Sequence, residues 1–196
     1  MTSTPSAAAR VDRTPLVVIA ALASLAGAVA IWLPFAWSTS PAKALTDGDL
    51  WYLAAPFLLA IPIAAAFIRM LVKGSLPPGA HWGARALAGC AMAITALFYA
   101  KGLRDEGPAP GVYGWLMLLV PLAIAAGWAA LMFRWRPGPT ATRAAEAVAL
   151  MEAAFLVNAA FCLLGFAGER EIGWYVTLAV SAAFAAHAVA TAKGGS

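Results

Sequence analysis

The sequence predicts an all-α integral membrane protein: a six-helix bundle arranged as three helical hairpins, with both termini in the cytoplasm. Three observations carry this reading. Hydrophobic residues make up 63% of the 196 positions and charged residues only 11%, against roughly a quarter charged in a soluble domain. The apolar residues gather into six runs, at about 15–37, 50–72, 84–100, 112–133, 144–166 and 174–192. Lys and Arg divide unevenly among the segments that join those runs.

Each run holds about 17 to 23 residues, enough to cross a ~30 Å hydrocarbon core at about 1.5 Å per residue. Lipid offers no partner to a bare backbone, so runs of this length are expected to be helical. Residues 1–13, MTSTPSAAARVDR, form a small polar tail expected to be disordered. Residues 14–193 read as one transmembrane domain, and residues 194–196 as a short cytoplasmic tail. Ala-Lys-Ala at 42–44 resembles a signal-peptide cleavage site. The run before it is longer than the usual apolar core of a signal peptide, so it is kept as the first helix.

Orientation follows from the basic residues. One side collects Arg10, Arg13, Arg69, Lys73, Arg85, Arg134, Arg136, Arg143 and Lys193, and the other Lys43, Lys101, Arg104 and Arg170. Nine against four places the first set in the cytoplasm. Asp47, Asp49, Asp105, Glu106, Glu169 and Glu171 all fall on the outer side. Trp37, Trp51, Trp115 and Trp174 mark the outer interface, and Trp82 and Trp135 the inner one, as an aromatic belt would.

The hairpins come from an internal recurrence. The second, fourth and sixth runs open with GDLWYL (48–53), YGWLML (113–118) and IGWYVT (172–177). From the tryptophan to the next inner basic residue is 18, 19 and 19 residues, ending at Arg69, Arg134 and Lys193. Glycine follows each time, at Gly74, Gly138 and Gly194. Recurrence at a steady period points to a repeated unit, here one helix out and one helix back. Alanine and glycine at spacings of three and four, such as Ala20, Ala23, Gly27 and Ala30, let helix backbones approach closely in lipid.

Against this background one acid stands out. Glu146 lies near the start of the fifth run, where a helix dipole favours it and water is near. Glu152 lies nine residues past Arg143, about 13 Å in at about 1.5 Å per residue. A lone charge at that depth is costly and normally finds a partner. In an antiparallel pair, residues equidistant from the turn face each other. With the turn near Arg170, the position opposite Glu152 is close to His187. His187 is the only histidine inside any of the six runs. Glu152 and His187 are therefore the candidate intramembrane polar pair, and an imidazole beside a carboxylate can exchange protons near neutral pH.

Asn158 lies about 240° around the helix from Glu152 and is expected to bond to another helix, as are Thr95, Thr177 and Ser181. Pro56, Pro62 and Pro121 are expected to interrupt the second and fourth helices. Cys90 and Cys162, far apart in sequence and at different depths, read as small core residues.

No catalytic, cofactor or metal motif appears: no HExxH, GxSxG, Walker A or GxGxxG. No catalytic residue, cofactor site or metal site is assigned, and an enzyme is disfavoured. No basic stripe interleaved with aromatics suggests nucleic acid. The expected setting is the cell membrane, with the lipid bilayer as first partner and a larger membrane complex or a homo-oligomer beyond it. The expected role is a non-catalytic accessory or scaffold subunit. The alternative is a small proton-coupled transporter or channel that uses Glu152 and His187. A third reading, an enzyme acting on lipid through the arginines of RWRPGPTATR (134–143), is weaker, because the inside-positive bias already accounts for them.

Overall fold

The structure is a computed structural model that describes residues 15–47, 54–106, 140–166, 168 and 170–194. It is all-helical over these residues. The elements are α1 (Pro15–Ala30), α2 (Pro41–Asp47), α3 (Ala55–Lys73), α4 (Ala80–Glu106), α5 (Thr140–Gly165) and α6 (Ile172–Gly194). Three described segments are long and apolar enough to cross a membrane: Ala55–Lys73, Ala147–Leu164 and Ile172–Thr191. The fourth apolar run, with Pro121 and Trp115, lies outside the described residues, as does Trp51.

The first run is shorter as a helix than its apolar length predicts. α1 stops at Ala30, although residues 31–37 are still apolar. Pro34 is the physical reason: the residue before a proline is pushed out of the helical region. The chain then closes a tight loop, with Phe35 N donating to Thr39 O at 2.9 Å and Thr39 N to Ala36 O at 2.8 Å. Trp37 and Ser38 take left-handed backbone angles, φ 49° and 55°. Ala42 N donates to Ile31 O at 2.8 Å, which ties α2 to the end of α1.

Proline placement also departs from expectation. Pro56 sits in the first turn of α3, where a missing N–H costs nothing, so it starts the helix and does not interrupt it. Pro62 lies inside α3, which runs on unbroken through it and is not interrupted there as the sequence suggests. α3 ends at Gly74, whose φ of 68° lets its N–H reach Met70 O at 2.9 Å.

The packing forms a ring. α1 lies against α3 and α6, and α5 lies against α3 and α6. α4 packs on the outside of α5 and barely touches α3. Contacts fix the levels within the ring. A Cβ on Gly27 would lie 3.1 Å from Ala60 Cβ and 3.4 Å from Val180 Cγ1, so these three small or branched residues form a tight waist. Seven residues further along each of α3 and α6 stand Phe67 and His187, whose ring centroids are 5.2 Å apart. At about 1.5 Å per residue that layer is about 10 Å from the waist.

At the far end a second apolar cluster closes the ring. Phe35 meets Phe57 and Phe166 edge-on, with centroids 6.0 and 6.1 Å apart, and Trp37 meets Phe166 at 5.1 Å. Here the loop after α1 is clasped to the start of α6. Gly173 N donates to Pro34 O at 2.8 Å, and Glu171 Oε1 accepts from Ser38 N. A side chain at 173 has no room: a Cβ would lie 2.7 Å from Pro34 O and 3.2 Å from Leu33 O.

These two glycines predict a graded result. Gly173→Ala pushes carbon into backbone and should cost about 2–3 kcal/mol. Gly27→Ala meets only side chains and should cost about 1 kcal/mol or less, since alanine also favours the helix. Reversible unfolding of both variants in mixed micelles checks the order; equal stability of the two would contradict the clasp.

Candidate functional site: a buried carboxylate and imidazole

The local reasons for this site begin with helix periodicity. Val148, Met151, Glu152, Phe155 and Ala159 repeat at three and four residues and all are buried, so Glu152 lies on the inward stripe of α5. On α6 the buried set is Gly173, Thr177, Val180, Phe184 and His187. His187 belongs to the same inward stripe, and the antiparallel register of α5 and α6 brings it opposite Glu152.

The two side chains meet. His187 Nδ1 lies 2.9 Å from Glu152 Oε2, at the sequence-derived register. The Glu152 side chain is wholly buried, and that of His187 keeps 9% of its surface exposed. Phe67 of α3 stands edge-on to the imidazole, at 73° between the ring planes. One turn toward the waist, Phe155 and Phe184 meet at 4.9 Å and cover the pair from that side. Glu152 Oε1 is buried and has no hydrogen-bond partner among the described residues.

The other buried polar groups turn to their own helices. Asn158 Nδ2 donates to Ala154 O at 2.8 Å. Thr177 Oγ1 donates to Gly173 O at 2.7 Å and Ser181 Oγ to Thr177 O at 2.7 Å. Each reaches the carbonyl one turn back, a bond that hydroxyl and amide donors make readily in helices. The side chain of Thr95 lies outside the described residues. Cys90 and Cys162 are free thiols, the first exposed and the second buried.

Some residues that shape the site carried no sequence signal. Phe67 was one apolar residue among many on α3. Ser24, buried and bonded to Ala21 O at 2.7 Å, is the one hydroxyl on the inner stripe of α1 and could have been flagged by its isolation. Glu171 was read only as one of the outer acids, yet it holds the loop after α1. Trp174 serves as more than an interfacial anchor, because its Nε1 donates to Leu163 O at 3.0 Å and ties the two ends of the α5–α6 turn. Among the described residues, no three His, Cys, Asp or Glu side chains converge in a way that could hold a metal ion.

The arrangement can hold a proton in one short hydrogen bond between two helices, in a place where an unmatched charge is expensive. His187→Ala leaves the carboxyl group unpaired and should cost about 3 kcal/mol or more. Glu152→Gln keeps an N–H for Nδ1 and should cost under about 1 kcal/mol. Steric-trap unfolding in bicelles measures both, and a Glu152→Gln loss as large as that of His187→Ala would contradict the pairing. No protein-family model, no curated protein and no solved structure matches this chain.

Proposed function

We propose that the chain is a six-span protein of the cell membrane, three out-and-back hairpins with both termini cytoplasmic, and that its role is non-catalytic: an accessory or scaffold subunit of a membrane complex. The six apolar runs and the inside-positive loops support the topology. The contacts of α1 with α3 and of α5 with α6 suit the first and third hairpins. The observation that carries the role is the closure around Glu152. The acid is paired, covered by Phe155 and Phe184, and set below the close contact of Gly27, Ala60 and Val180. A polar pair so enclosed fits a bolt between helices better than a transport site.

One observation favours a second reading, proton-coupled transport through the same pair. Glu152 Oε1 is buried with an unused bonding position among the described residues, and such groups often mark proton paths. Pro62 inside α3, which cannot donate a backbone hydrogen bond, would supply the movement.

The two readings separate in one preparation. Extracted into native nanodiscs, the chain is expected to run as part of a larger assembly. Reconstituted alone in sealed liposomes, it should leave a pH gradient and small-ion flux at the protein-free rate. Flux that rises with protein and falls at least tenfold in Glu152→Gln would overturn the scaffold role and establish the transport role.

A further inference from the structure

α1 does not reach as far across the bundle as its neighbour α6. Gly27 of α1 and Val180 of α6 stand at one level, the waist. From there α1 runs on three residues to Ala30, and α6 runs back eight residues to Ile172. At about 1.5 Å per residue, α1 ends about 7.5 Å short of the start of α6. Ile172–Thr191 of α6 is long and apolar enough to cross a membrane. In a bilayer that α6 crosses over this segment, the notch above Ala30 lies at membrane depth. Residues 31–37, IWLPFAW, fill it, and Pro34 O accepts there from Gly173 N at 2.8 Å.

We propose that residues 31–47 form a lipid-seated cap, a re-entrant loop and short helix whose partner is the phospholipid of the leaflet on the Glu171 side. Trp32 lies among the acyl chains, Trp37 and Leu45 lie at the headgroup boundary, and Lys43 reaches water. The inference rests on the bundle lying in a bilayer, as proposed above, and not on its role there.

The backbone of the cap is closed on the protein. Non-helical backbone at membrane depth is tolerated only where the protein satisfies it. Between Trp32 and Ala42, Pro34 and Pro41 have no N–H to satisfy. The N–H groups of Trp32, Leu33, Phe35, Thr39 and Ala42 donate to Val29 O, Ala30 O, Thr39 O, Ala36 O and Ile31 O, and that of Ser38 to Glu171 Oε1. Ser40 O accepts from Ala44 N at 3.0 Å. Trp37 and Ser38 hold costly left-handed angles at the point where the chain turns Ser38 N–H to Glu171.

The side chains look the other way. Leu22, Leu25 and Val29 are exposed at spacings of four and three along α1, and Trp32, 74% exposed, continues that stripe into the loop. Trp37 is 57% exposed and Leu45 44%. Acyl chains match the aliphatic stripe that Trp32 extends, and an indole with an apolar body and one N–H donor suits the headgroup boundary. On α2, Lys43 and Leu45 are both exposed and lie about 200° apart around the helix. A helix lying in the boundary puts one in water and the other in lipid. Arg170 and Glu171, just before α6, mark the level at which charge begins.

The test uses the full chain with Cys90→Ser and Cys162→Ala, reconstituted in phosphatidylcholine nanodiscs so that water reaches both faces. Trp32→Cys, Lys43→Cys and Leu45→Cys each carry a nitroxide label. Leu58→Cys and Leu178→Cys, at exposed positions within α3 and α6, serve as references. Electron paramagnetic resonance reads label collisions with oxygen, which concentrates among acyl chains, and with a nickel chelate, which stays in water. The oxygen-to-nickel collision ratio at positions 32 and 45 should exceed that at position 43 at least about threefold, and position 32 should match position 178. Nickel reaching position 32 or 45 as freely as position 43 puts the cap in water and overturns the proposal. Labels at 32 and 45 shielded from both probes put another protein chain over the cap and overturn lipid as its partner. Labels at 58 and 178 open to nickel overturn the membrane reading itself. With those two in lipid, a wet position 32 overturns the cap alone.

Discussion

A polar side chain placed inside this bundle is costly without a partner, and that constraint decides which contacts matter. Ser24, Asn158, Thr177 and Ser181 meet it locally, each with a donor turned to a carbonyl of its own helix. A carboxylate has no donor to turn, so Glu152 needs a group on another helix. His187 is that group, and the link between them fixes the sliding register of α5 against α6 in a way apolar contacts do not. Alanine against alanine can shift by a turn at small cost. A buried acid against an imidazole cannot.

Around that link the remaining layers agree with one another. The Gly27 waist and the Phe67–His187 layer are separated by seven residues on both α3 and α6. The α5–α6 pairing recurs one turn away at Phe155 and Phe184. Seven residues are close to two helical turns, so the same faces return to the ring at each layer. Small side chains pinch the middle and aromatic ones fill both flanks. This alternation lets four helices pack closely, with glycine where the helices come nearest.

Much of this was legible in the sequence where a single rule dominated. The register that joins Glu152 to His187 needs only a turn near Arg170 and two helices of ordinary pitch. The all-helical character follows from runs too long and too apolar for anything else. Legibility failed where two rules competed. Hydropathy carried the first run to residue 37, but the helix ends at Ala30, ahead of Pro34, and the rest of the run forms a loop. The clasp of Gly173 on Pro34 was illegible, since those residues are 139 positions apart and neither is unusual alone. The fourth run, on which the repeat and the six-span count rest, lies outside the described residues.

The clasp has a consequence for how the molecule is made. A ribosome completes α1 long before α6, yet those two helices are neighbours in the finished ring. Until the last helix arrives, the inner face of α1 has only α3 for company and the loop at Trp37 has nothing to grip. Closure is therefore a late event, and any interval between synthesis of the first and last helices leaves an open seam that another chain can temporarily occupy.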